Sequence, residues 1–116
     1  MNWNKIKEKY PKAFYELSKW YYKKFYNSDN VLSFDMIDDF EEDAEQMTRG
    51  KTYDFFDGQG IIINVYNLFG SFWWDIKEYY ERLFAEHAKE DQYKTRTEAE
   101  EKAFMKAFQI LNDKLD

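Results

Sequence analysis

The stretch Phe72-Trp73-Trp74-Asp75-Ile76-Lys77-Glu78-Tyr79-Tyr80 decides how this chain folds, because it reads two ways. As one helix, Phe72, Trp73, Ile76, Tyr79 and Tyr80 share a face, while Trp74 points about 160° away among Lys77, Glu78 and Glu81. As a strand that passes into a helix, Phe72, Trp74 and Ile76 point together, and Tyr79 and Tyr80 take up a helical face. The second arrangement buries more apolar surface, so a strand is expected at about residues 72–76. It leaves Trp73 beside Asp75 on the other face, to be covered by another element or by a partner.

Working outward, Ile61-Ile62-Ile63-Asn64-Val65-Tyr66 is the strongest strand signal in the chain. The run Asp57-Gly58-Gln59-Gly60 reads as the turn before it, and residues 67–71, with Gly70, as the turn after it. The two strands form an antiparallel hairpin. Beyond it the spacing of Ile76, Tyr79, Tyr80, Leu83, Phe84 and His87 predicts a helix to about Lys89. A two-stranded hairpin is marginal alone, so it must pack on helices or gain a third strand, for which residues 91–95 are the candidate.

Upstream, a helix is expected from about Pro11 to Phe25, after a short helical turn at residues 3–9. Tyr10, Phe14, Leu17 and Tyr21 recur at helical spacing as its core face. Roughly 160° round the wheel, Tyr15, Tyr22 and Tyr26 lie alongside Lys12, Lys19 and Lys23. A second helix is expected from Ser33, as N-cap, to Arg49, with Gly50 as its stop. The last helix carries a capping-box pattern at Thr97-Glu98-Ala99-Glu100, then an apolar face through Ala103, Phe104, Ala107, Phe108, Leu111 and Leu115. The expected fold is α+β, three to four helices packed on a short antiparallel hairpin. At 116 residues the chain reads as one domain.

Composition narrows the function classes. Charged residues reach 34%, yet aromatics make up 22%, which argues for a packed core over disorder. No window approaches the length of apolar run that spans a membrane. The N-terminal residues lack the apolar stretch of a secretion signal, so a cytoplasmic location is expected. Absence of Cys excludes disulfides, thiol catalysis and thiolate metal sites. The net charge of −6 is unevenly spread: residues 1–28 sum to +5 and residues 33–50 to −6.

Two pieces of the chain, residues 53–61 (YDFFDGQGI) and residues 94–111 (KTRTEAEEKAFMKAFQIL), resemble small phage and prophage proteins to which no activity is attached. The resemblance implies a mobile-element origin, and for such proteins a role in binding host proteins; it implies no cofactor and no site residue.

The catalytic inventory is thin. His87 is the single histidine, on an apolar helical spacing that suits a packed residue better than a ligand or base. No serine sits in a nucleophile-elbow context, and Gly58-Gln59-Gly60 precedes a strand where a phosphate loop would open a helix. Asp54, Asp57, Asp75, Glu78 and Glu81 could supply a carboxylate pair for hydrolysis, against the simpler reading of solvated acids. No cofactor and no metal site is expected.

Two surfaces point instead to partners. The acidic segment, with Asp38, Asp39, Glu42 and Glu45, suits docking to a basic protein. The stripe of Tyr15, Tyr22 and Tyr26 with Lys12, Lys19 and Lys23 suits a protein partner or self-association; base stacking with phosphate neutralisation is the alternative. With Trp73 these are the candidate partner contacts. The expected function is that of a small acidic non-enzymatic interaction protein that binds a protein, with nucleic-acid binding or a carboxylate hydrolase behind it.

Overall fold

A computed structural model describes residues 1–26, 47–78, 81–86 and 93–115; of Tyr26 and residues 81–86 it describes the backbone only. The chain is α+β. Four helices are described, α1 (Trp3–Lys9), α2 (Pro11–Tyr26), α3 (Arg49–Gly58) and α4 (Arg96–Lys114), with three strands, β1 (Ile61–Leu68), β2 (Ser71–Glu78) and β3 (Glu81–Glu86). They fall into two compact units. One holds residues 1–55 and 108–116, the other residues 56–107.

In the first unit, Asn2 caps α1 by accepting a hydrogen bond from the Lys5 N–H at 3.2 Å. Pro11 then opens α2, where its missing N–H costs nothing. The residue before it is Tyr10, which has no side chain suited to N-capping. The cap comes instead from far along the chain: Asn112 Oδ1 accepts from the N–H of Lys12 at 2.9 Å and of Ala13 at 3.2 Å. One face of α2 is buried, through Ala13, Phe14, Leu17, Ser18, Tyr21 and Tyr22. Buried Ser18 satisfies its hydroxyl by donating to the Phe14 carbonyl at 2.9 Å. A chain of rings links the helices: Trp3 meets Phe108 edge-on at 6.0 Å, Phe108 stacks on Phe55 at 6.4 Å, and Phe55 meets Trp20 at 5.6 Å.

Helix α3 begins where the sequence suggests a stop. Thr48 Oγ1 accepts from the Lys51 N–H at 3.2 Å, so Thr48 acts as an N-cap and Gly50 lies inside the first turn. Burial of Thr52, Phe55 and Phe56 outweighs the helix penalty of one Gly. The helix expected from Ser33 lies mostly outside the described residues.

In the second unit the strands form an antiparallel sheet in the order β1-β2-β3. The β1–β2 register runs from Ile61↔Glu78 to Leu68↔Ser71 without a shift, so the hairpin is longer than expected at both ends. Ile61, Ile63, Trp74 and Ile76 bury one face. The helix expected from Ile76 to Lys89 is not formed across the described part: β2 continues to Glu78, and β3 pairs with it through Ile76↔Phe84, with a bulge between Ile76 and Lys77. Positions eight apart share a helical face, but they also meet across a hairpin, and here pairing wins. The third strand is therefore at residues 81–86, not 91–95. From the latter segment Tyr93 makes an isolated bridge, accepting from the Phe72 N–H at 2.9 Å.

The cap of α4 also moves. Thr95 Oγ1 accepts from the Glu98 N–H at 3.2 Å and Glu98 Oε2 accepts from the Lys94 N–H at 3.3 Å. The cap is Thr95, two residues before the expected one, and Glu98 completes a box-like arrangement by reaching the N–H of the residue before the cap rather than that of the cap itself. Glu100, expected to reach back, is buried on the helix face with Ala99, Ala103 and Phe104.

Candidate interaction surface

The tyrosine–lysine stripe on α2 is not a continuous open surface. Tyr22, at 8% exposure, is taken into the core and packs edge-on against Tyr21 at 5.7 Å. Tyr15 is half-buried, with Lys19 Nζ 5.0 Å from its ring centre. Lys19 also pairs with Glu16 at 2.7 Å. Lys12 and Lys23 are exposed. Lys24 repeats the pattern, with its Nζ 5.1 Å from the Trp20 ring, while Lys51 reaches from α3 to place its Nζ 4.6 Å from the Phe25 ring. Residues four apart on a helix are neighbours, so a cation at that spacing lies over its own aromatic. The interleaving that suggests base stacking is met within the helix itself. Asp38, Asp39, Glu42 and Glu45 lie outside the described residues, as does His87.

The described carboxylates do not gather. Asp54 and Asp57 are exposed on α3, and Asp75 and Glu78 point to opposite faces of β2 by strand alternation. Glu81 contributes backbone only. Among the described residues, no group of three or more His, Asp or Glu side chains could hold a metal ion. No helix among them is long and apolar enough to cross a membrane.

Trp73 is covered within the chain, at 8% exposure, so it is no direct contact for a partner. Its indole N–H donates to the Leu68 carbonyl at 3.2 Å. That bond ties β2 to the last residue of β1, next to the turn. A second brace comes from α4: Arg96 Nη1 donates to the Val65 carbonyl at 3.2 Å, and its guanidinium lies 5.3 Å from the Phe72 ring centre.

What these braces hold is the turn Phe69-Gly70. Both residues have positive φ, 55° at Phe69 and 82° at Gly70, the signature of a type I′ two-residue hairpin loop. Gly suits that conformation; Phe does not, because its Cβ crowds the backbone there. The ring of Phe69 gains no packing in exchange, since the residue is 96% exposed. Leu68 and Ile62 are also exposed, and Leu68 adjoins Phe69 at the tip. A bulky aromatic in a disfavoured backbone conformation, fully in solvent and held from two sides, is the most unusual site among the described residues.

Sequence reasoning assigns this loop to a turn through Gly70 and passes over Phe69. A signal is nevertheless present. Between Asp57 and Asp75 no residue is charged, in a chain that is 34% charged overall. Interface cores are depleted in charge and enriched in aromatics. No protein-family model matches the chain, and neither the curated proteins nor the solved structures contain a match to it.

Proposed function

We propose that this chain is a small acidic, non-enzymatic interaction protein of phage or prophage type, acting in the host cytoplasm, that binds a protein partner through the tip of the β1–β2 hairpin. The observation that carries the reading is Phe69: 96% exposed at φ 55°, it costs stability in the isolated chain. Strain of this kind is retained where a function uses it. A ring already displayed on a braced loop loses little freedom on binding, which favours affinity. The hairpin's own residues between Asp57 and Asp75 carry no charge, which suits an apolar pocket over a phosphate backbone.

The test compares affinity capture from host lysate by the wild-type chain and by Phe69→Asn. Asn tolerates the left-handed conformation, so the variant keeps the turn while removing the ring. A protein retained by the wild type and lost with the variant supports the hairpin as the binding element. Equal retention by both removes the hairpin from the account.

A further inference from the structure

We infer that the partner of the hairpin tip presents an acidic peptide segment, whose apolar side chains meet Phe69 and Leu68 while a carboxylate seats on the open edge of Arg96, with Lys94 beside it. This rests on the hairpin-tip reading and names the chemistry of the partner. Arg96 is pinned by two contacts. Its Nη1 donates to the Val65 carbonyl at 3.2 Å, and the guanidinium lies 5.3 Å from the Phe72 ring centre. A guanidinium laid against a ring and tied by one bond is held in a fixed orientation. It carries five N–H groups, and among the described residues the other four meet no acceptor. The residue as a whole is exposed. A planar fork with an unused edge matches a carboxylate, which accepts two parallel bonds from it.

The fork stands near the displayed ring. Phe72 follows Gly70 by two residues, about 7 Å along the strand. Tyr93 holds the segment before α4 against the same place, its carbonyl accepting from the Phe72 N–H at 2.9 Å. Lys94 comes next and is exposed. Its backbone N–H is taken by Glu98 Oε2 at 3.3 Å, and its ammonium meets no acid among the described residues. Leu68 and Phe69, both exposed, complete the surface at the tip.

Charge picks the occupant. The chain carries −6 overall, yet from Gly58 to Trp74 it has no charged residue, and Lys94 and Arg96 flank the tip with two positive charges. A basic partner meets repulsion there. An acidic one is drawn to this place on a chain whose total charge repels it, which fixes where it docks. A nucleic-acid strand needs a line of cations along its backbone, and the hairpin offers none between Asp57 and Asp75. Like the Phe69 ring, a fork already fixed loses little freedom on binding.

A random peptide library, selected on the immobilised full chain with Phe69→Asn as the counter-selection, tests this. The retained peptides should carry apolar residues and an excess of Asp and Glu over the starting library. The most enriched peptide, synthesised with a fluorescent label, should bind the wild type. Its Kd should rise about tenfold with Arg96→Gln, which removes the fork. It should rise about fivefold with Lys94→Glu. Lys94→Glu touches neither brace, so it separates charge from the positioning of the hairpin. A circular dichroism melt confirms that both variants are folded, and Lys94→Glu alone decides if Arg96→Gln is not. Retained peptides that are neutral or basic overturn the proposal, as does an acidic peptide whose Kd is unchanged by either substitution in a folded variant. A library with no preference for the wild type over Phe69→Asn overturns it too, and host-protein capture that is still lost with Phe69→Asn then leaves the hairpin-tip reading standing.

Discussion

Phe69 is the residue whose substitution should improve the fold. A non-glycine side chain in the left-handed region costs about 1–2 kcal/mol, and Asn pays less of it than Phe. Phe69→Asn should therefore raise the thermal midpoint by about 4–8 °C for each kcal/mol recovered, measured by a circular dichroism melt. A lowered midpoint would mean that the ring packs against something and is not held out for a partner. Asn112 is the opposite case. Its side-chain oxygen serves two N–H groups at the start of α2, a helix whose preceding residue cannot do so. Asn112→Ala should cost about 1–2 kcal/mol, seen as a lower urea midpoint with an unchanged slope. Asn112→Asp keeps the acceptor, adds a charge the helix N-terminus favours, and should cost nothing.

At the scale of elements, the start of α4 separates two capping boxes that differ by two residues. Thr95→Ala should destabilise by about 1 kcal/mol, and by more than Thr97→Ala does. The reverse order would restore the Thr97 box. Elements with one dominant pattern are legible in the amino-acid sequence alone: the Phe14–Leu17–Tyr21 face of α2, the isoleucine run of β1, the Ala103–Phe104–Ala107–Phe108 face of α4. Where two periods fit the same residues, the pattern misleads. Ile76 and Phe84 satisfy a helix and a hairpin equally, and the choice is made by β2, which offers β3 a partner along its length. Helix α3 is hidden by Gly50 and Gly58, which look like punctuation in a chain whose Thr52, Phe55 and Phe56 are in fact buried. The tyrosine–lysine surface misleads for a related reason. Tyr15 and Lys19 fit docking to a partner, but they fit each other first.

At the scale of the molecule, stability in the first unit rests on rings. Phe55 touches both Trp20 and Phe108, and both phenylalanines are fully buried. Phe55→Ala or Phe108→Ala should each cost about 3–5 kcal/mol, a large share of the ~5–15 kcal/mol that holds a domain of this size together. Chemical denaturation should show the loss directly, and a cost under about 1 kcal/mol would refute the ring chain as the core. The boundary between the units falls within α3 and again within α4, so neither unit can be excised without cutting a helix. The bond from Asn112 to Lys12 then acquires a meaning in time. The two residues are 100 positions apart. At synthesis rates of roughly 5–20 residues per second, the start of α2 is made about 5–20 s before its cap. A nascent chain arrested short of Asn112 should expose that helix end to protease, and release of the arrest should close it.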